Sequence, residues 1–298
     1  MYSSFMEVEH NLLQRGIRKT VALANAQDHE SLGALLHARS RGVVDAILIG
    51  DAEKITGRLH SFGENPADFT IIPSDNEVDA ALCAAKLVTE GKADIPMKGI
   101  MQTASFMKAI LNKELGFVAP GALLSQGTVL EWREQKRLLF FGDCAINIAP
   151  DLEAKVKITA NLVRLAQCFG VECPKVAVIS AVETVKEKIP STVDAAALAS
   201  MDWKDCIVRG PFGLDNAVSR EAALHKGITD PVAGNADILL LPDLCTGNVF
   251  TKSMTFFAHL SSAGAVCGPQ LPVIMTSRTD TEENKYYSIL TAILQSLR

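Results

Sequence analysis

The chain has 298 residues, of which 48% are hydrophobic and only 6% aromatic, and a net charge of -5. That length favours two domains over one, and an aliphatic core suits layered α/β architecture; the negative balance argues against nonspecific nucleic-acid binding. The opening MYSSFMEVEHNLLQRG is too polar for a secretory signal, and no apolar run approaches the roughly 18 residues of a membrane span, so a soluble cytoplasmic protein is expected.

In chain order, a short amphipathic opening leads to a strand over Thr20 to Ala24, a helix over Glu30 to Arg41 and an apolar run from Val43 to Ile49 closed by Gly50-Asp51. Two further units keep the rhythm: Phe69 to Ile72 with a helix from Glu77 to Thr89, then Asp94 to Met97 with a helix from Thr103 to Asn112. Alternation of strand and helix at this spacing predicts crossover-connected parallel strands in a doubly wound sheet. Near Gly116 the pattern changes, and residues 120–148 carry strand-like runs without a helix between them. That fits an antiparallel excursion at a domain boundary.

Helical periodicity returns from Asp151, followed by a buried strand at Lys175 to Ile179 and a helix opened by Pro190-Ser191-Thr192. Asp205 to Val208 leads to Gly210-Pro-Phe-Gly213, and the helix after it ends at His225-Lys226-Gly227. Two more apolar runs, Ile238 to Leu241 and Leu271 to Met275, have the length and flanks of buried parallel strands. The first is followed by Gly247 and Asn248 leading into a helix with Lys252, the second by Thr276, Ser277 and Arg278 before a helix beginning near Asp280.

Strand, polar turn and helix is the layout of an anion site, because a helix start offers unpaired N–H groups and an arginine fork suits two phosphate oxygens. The two turns are therefore expected to wall one phosphate-handling site. Lys98 and Gly99 end the strand before Thr103, where an open α/β sheet places ligand contacts, and Lys108 lies further along that helix; a solvated loop lysine is the duller reading. An internal salt bridge is the duller role for Arg278. Asp280, Glu282 and Glu283 read as first-turn carboxylates, with Thr279 and Glu282 matching a capping box, or as catalytic bases.

Other chemistries find no support. Seven cysteines without a C-x-x-C pair argue against a disulfide framework, and the histidines show no metal-ligand spacing, so no metal is expected. There is no G-x-S-x-G elbow, no Walker A motif and no G-x-G-x-x-G after the first strand.

The stretches ADIPMKGIMQT, LNKELG, INIAPDLEAK, KVAVISAVETV with KIPSTVDAA, GPFGLDNAVS, HKGITDPVAGNADILLLPD, GNVFTKS and VIMTSRTD resemble the phosphate acetyltransferase and phosphate butyryltransferase family over almost the whole chain, with the butyryl branch nearest. The resemblance implies reversible transfer of a short acyl group (butyryl, branched-chain or acetyl) between coenzyme A and inorganic phosphate through a ternary complex. Coenzyme A is then a substrate, with no bound cofactor, and the protein is usually a homodimer. It also implies two doubly wound α/β domains of the isocitrate or isopropylmalate dehydrogenase kind with the active site in the cleft between them. Domain I would be 1–118 plus 266–298 and domain II 119–265.

In that family Ser277 and Arg278 fall on the pair implicated in binding the phosphoryl group, Gly247, Asn248 and Lys252 on its Gly-Asn and Lys, and Lys98 to Thr103 on the loop near the phosphate. Lys108 stands where acetyl-specific relatives carry an arginine. Those relatives place an aspartate seven residues after the serine, thought to take the thiol proton, and this chain has Asn284 there. Either a nearby carboxylate takes that proton, with Asp280 and Glu283 the first candidates, or the thiolate is supplied without a dedicated base. Two rival readings share the architecture: a non-catalytic sensor of acyl phosphate or coenzyme A, and a decarboxylating dehydrogenase-like enzyme.

Overall fold

The computed structural model describes residues 1–297 and divides into two units, one made of Phe5–Ala122 with Ala263–Arg298 and the other of Met1–Ser4 with Leu123–Ser262. In the first unit α1 (Phe5–Gln14) precedes β1 (Lys19–Ala24), α2 (His29–Ser40), β2 (Val44–Gly50) and α3 (Ala52–Ser61). β3 (Thr70–Pro73), α4 (Glu77–Thr89), β4 (Ile95–Lys98) and α5 (Thr103–Ile110) follow. The four strands are parallel in the order β3-β2-β1-β4.

Local chemistry sets the helix starts. Asp28 caps α2 by accepting the Ser31 N–H at 2.7 Å, and Asn76 caps α4 by accepting from Val78 and Asp79. The sequence reading passed over α3, whose only strong signals are the cap Asp51 and the buried pair Ile55 and Leu59 one turn apart.

The second unit opens with an antiparallel hairpin, β5 (Ser125–Trp132) and β6 (Arg137–Gly142), over the stretch expected to leave the parallel pattern. It continues with α6 (Leu152–Cys168), β7 (Lys175–Ile179), α7 (Pro190–Ser200), β8 (Ile207–Phe212), α8 (Leu214–Val218), α9 (Arg220–His225), β9 (Ile238–Leu240) and α10 (Leu244–Phe256). Within it β5-β6-β9-β7-β8 run side by side, and β6, β9, β7 and β8 are parallel. After β6 the buried Asp143 organises the next loop, accepting N–H bonds from Ala145 and Ile146 at 2.9 Å each and the Asn147 amide at 2.6 Å.

The chain returns through β10 (Ser262–Cys267) to the first unit, which α11 (Glu282–Gln295) completes. α11 packs on α2, burying Ile289, Leu290 and Ile293, and Phe5 of α1 stacks on Tyr287 with ring centres 4.3 Å apart. The strand expected over Leu271 to Met275 is reduced to one parallel bridge, Met97 to Ile274, in which Lys98 N–H donates to Ile274 O at 2.9 Å. Pro272 has no N–H to extend that ladder. Among the described residues no helix is long and apolar enough to cross a membrane.

Gly99 is required by close approach. A Cβ there would lie 2.5 Å from Asn25 O and 2.6 Å from Ala24 O, both backbone atoms of the neighbouring strand end. Replacing Gly99 with alanine is expected to destabilise the first unit by about 1–3 kcal/mol, read as a lower urea midpoint; an unchanged midpoint would show that the strand ends yield.

Candidate functional site

In the order β3-β2-β1-β4 the chain leaves β1 toward β2 on one side and reaches β4 on the other. The carboxyl ends of β1 and β4 thus form a topological switch point, where open α/β sheets place ligands. A cavity of about 70 Å³ lies there, lined by residues that include Asp28, Lys98, Ser277, Arg278 and Lys285. Its size admits a small oxyanion and not a nucleotide.

Three cations define it. Lys98, the last residue of β4, is 3% exposed and donates to Gly99 O at 3.3 Å. Lys285, in the first turn of α11, is 2% exposed and donates to Ser277 O at 2.5 Å and Thr276 Oγ1 at 3.4 Å. Arg278 stands exposed at the mouth, with Nη2 donating to Met101 O at 3.3 Å. Among the described residues none of the three has a carboxylate within ion-pair distance, so their partners are neutral oxygens. Burial, then Lys285 and then Arg278, push the Lys98 ammonium below the usual lysine range, partly opposed by Asp28 and Asp280. Burial likewise lowers Lys285.

Helix ends add less than the sequence suggested. α11 starts at Glu282 with Thr281 as its cap, accepting the Asn284 N–H at 3.1 Å, so neither Asp280 nor a Thr279–Glu282 box begins it. Ser277 and Arg278 belong instead to a tight turn. The Asp280 carboxylate accepts the Ser277 N–H at 2.7 Å, and the Ser277 hydroxyl shares a 3.1 Å bond with Thr279. α5 behaves differently: its cap position, Gln102, supplies no side-chain hydrogen bond to the first turn, which begins at Thr103 just after the Lys98-Gly99 strand end. Glu77 anchors that loop by accepting from the Gln102 N–H at 2.9 Å and the Ser105 hydroxyl at 2.7 Å. Those bonds, Ser105 first, hold its carboxyl below the usual range.

The candidate bases separate. Asp280 lies near enough to act electrostatically on both lysines. Glu283 is exposed, accepts from the Tyr287 hydroxyl at 2.7 Å and lines a different cavity with Glu9, His37 and Arg41. Asn284 is buried in the first turn of α11.

Gly99 acts through shape, Thr103 is the exposed first residue of α5, and Lys108 is exposed near the far end of that helix, outside the cavity lining. Gly247, Asn248 and Lys252 belong to the second unit. There α10 starts at Leu244, capped by Asp243 through the Thr246 N–H at 2.8 Å, so Gly247 and Asn248 lie one turn inside the helix rather than before it. A Cβ on Gly247 would collide with the Asp143 carbonyl, Asn248 Nδ2 donates to Cys144 O at 3.4 Å, and Lys252 is exposed.

Sequence reasoning missed Lys285 and Asp28. Lys285 carries a legible signal: it lies in line with Ile289 and Ile293 at helical spacing, so a lysine heads an otherwise buried stripe. Asp28 was hidden by its ordinary role as a helix cap.

Comparison with known proteins gives the chain's family. A family model described as phosphate acetyl/butaryl transferase matches residues 63–293. The chain is 43% identical to a phosphate butyryltransferase of Clostridium acetobutylicum over 99% of its own length and 98% of the relative's. It is 40% identical to a phosphate acetyltransferase of Thermotoga maritima, covering 93% and 95% of the two chains. A crystal structure of a branched-chain phosphotransacylase from Enterococcus faecalis superposes with a TM-score of 0.84 at 32% identity, over 93% of this chain and 99% of that one. This chain belongs to the phosphate acetyl/butyryl transferase family.

Proposed function

We propose that this chain is a phosphate acyltransferase moving a short-chain acyl group reversibly between coenzyme A and inorganic phosphate. The observation that carries the reading is the cavity at the switch point, where two buried lysines and an arginine meet without an ion pair among the described residues. Buried charges are costly unless compensated, and one oxyanion compensates both lysines while pairing with Arg278 at the mouth. The surrounding carboxylates ease the burial of Lys98, since Asp28 and Asp280 oppose the fall of its pKa.

In the direction of acyl-CoA synthesis, the phosphoryl end of an acyl phosphate occupies this cavity. The coenzyme A sulfur bonds to the carbonyl carbon, the carbon–oxygen bond to phosphate breaks, and its electron pair leaves with the phosphate. Lys98, Lys285 and Arg278 hold the charge growing on the leaving group. The Ser277 hydroxyl donates to the oxygen of the tetrahedral intermediate, a preorganised contact of the kind that commonly accounts for about 10²–10³ in rate. Thr103 at the start of α5 and Lys108 further along it are assigned to substrate contact, as are Gly247, Asn248 and Lys252 of the second unit. A homodimer working in the cytoplasm is the form this reading carries.

Chain-length preference follows from a panel. Release of coenzyme A thiol from acetyl-, propionyl-, butyryl- and isobutyryl-CoA in phosphate buffer is expected for at least one of them; a protein inert toward all four is not a transferase of this class. Arg278→Ala is expected to lower kcat/KM for the acyl phosphate by about 100-fold or more with the fold intact, and activity near wild type would remove Arg278 from the site.

The lysines add a pH signature. Because burial lowers both ammonium pKa values, positive charge is lost on raising the pH sooner than for an exposed lysine. The KM for phosphate should therefore climb on the alkaline side, and Lys285→Met, close in length and uncharged, should raise it about 10–100-fold at neutral pH. Equal KM values for Lys285→Met and wild type at neutral pH would exclude Lys285 from phosphate binding.

A further inference from the structure

The transfer reaction needs a proton carrier, and the structure offers one that the family pattern does not. The position seven residues after Ser277 is Asn284, whose amide accepts no proton usefully near neutrality. Of the carboxylates near the cavity, Asp280 already receives the Ser277 N–H at 2.7 Å, Glu77 receives two donors, and Glu30, which lines the cavity with Asp28, is exposed to solvent. Glu283 receives the Tyr287 hydroxyl and faces another cavity.

Asp28 differs. Its Oδ1 caps α2 through the Ser31 N–H at 2.7 Å, while Oδ2 is shielded from solvent and has no hydrogen-bond partner among the described residues. Asp28 lines the same cavity as Lys98, Ser277, Arg278 and Lys285. A shielded carboxylate oxygen without a donor is costly, and a ligand in the adjoining cavity that brings a proton to it removes that cost.

We propose that Asp28 Oδ2 carries the proton exchanged between the coenzyme A thiol and phosphate, in place of the aspartate that acetyl-specific relatives have at the position of Asn284. The stoichiometry suits a single carboxylate, because the proton the thiol loses is the proton the phosphate must gain. Toward acyl-CoA, the sulfur bonds to the carbonyl carbon as its proton passes to Oδ2. The carbon–oxygen bond breaks, and Oδ2 returns the proton to the departing phosphate, which leaves as hydrogen phosphate. In reverse, Oδ2 takes the proton of hydrogen phosphate as that oxygen attacks the thioester, then delivers it to the departing thiolate. Asp28 ends each cycle as it began. This step rests on the acyltransferase reading above.

The charged groups that line the cavity with Asp28 are Lys98 from β4, Lys285 from α11, Arg278 from the turn before α11 and Glu30 of α2, and Asp280 acts electrostatically on both lysines. A purely electrostatic role is the competing account, in which Asp28 only helps to keep the two lysines charged.

Asp28→Asn separates the two. It preserves shape and an oxygen to cap α2, but holds no proton. Proton transfer by a positioned group is worth about 10²–10⁴ in rate, so at neutral pH the variant should lose at least about 100-fold in kcat in both directions while KM for the acyl phosphate moves little. The size of the defect should then depend on pH. A thiol that is already ionised needs no acceptor, so the ratio of wild-type to variant rate in acyl-CoA synthesis should shrink as pH rises toward the thiol's own pKa and past it. Loss of an electrostatic partner predicts the opposite, since the lysines would discharge earlier and the ratio would widen. A constant or widening ratio, or a variant with the wild-type rate, overturns the proposal. Should Asp28→Asn fail to fold by urea titration, Asp28→Ser keeps a capping hydroxyl and gives the same readout. Wild-type protein without transfer activity would sink the acyltransferase reading itself, whereas active wild type with an active Asp28→Asn sinks only the role of Asp28.

Discussion

Two ammonium groups shielded from water, without ion pairs among the described residues, are the constraint around which the first unit is arranged. Lys98 and Lys285 arrive from different elements, the end of β4 and the first turn of α11, and both spend their hydrogen bonds on neutral oxygens. Such an arrangement is a poor device for stability, because desolvation of each charge exceeds what a carbonyl returns. It makes sense as a receptor, since a multiply charged oxyanion gains from every cation and displaces little water. Arg278 at the mouth extends the same logic with the fork geometry that lysine lacks.

Backbone packing gives that receptor its precision. Gly99 lets the β4 end pass against the β1 end at a distance no side chain permits, which fixes Lys98 beside the switch point. The Met97–Ile274 bridge ties the segment before Ser277 to the same strand end, and Lys285 grips the Ser277 carbonyl from the other side. The serine and arginine are thereby held by a strand contact, an Asp280-closed turn and a buried lysine. In the second unit Gly247 plays a comparable part, seating α10 against the loop that Asp143 organises.

Much of this was legible in the amino-acid sequence. α4 was read to the residue, because Asn76 and the acidic first turn mark its start and its small apolar residues recur at helical spacing. Lys98, Ser277 and Arg278 were reached from strand-end position alone. What escaped has physical reasons. The run from Leu271 to Met275 looks like a strand by hydropathy, yet Pro272 leaves a single bridge. The helix starts after Ser277 and before Gly247 were misplaced because several polar residues compete for one cap, and only geometry shows Thr281 and Asp243 winning. Asp28 carries two oxygens with two fates, one capping a helix and one left without a donor, a distinction no sequence pattern displays.

The account turns on inorganic phosphate meeting the two buried amines directly. Side-chain ¹⁵N spectra of the lysines, with Lys98 and Lys285 identified by their absence in methionine variants, read that contact while phosphate is titrated in. Both resonances are predicted to shift together and saturate at one phosphate per chain, and a titration that leaves both unmoved would contradict the account.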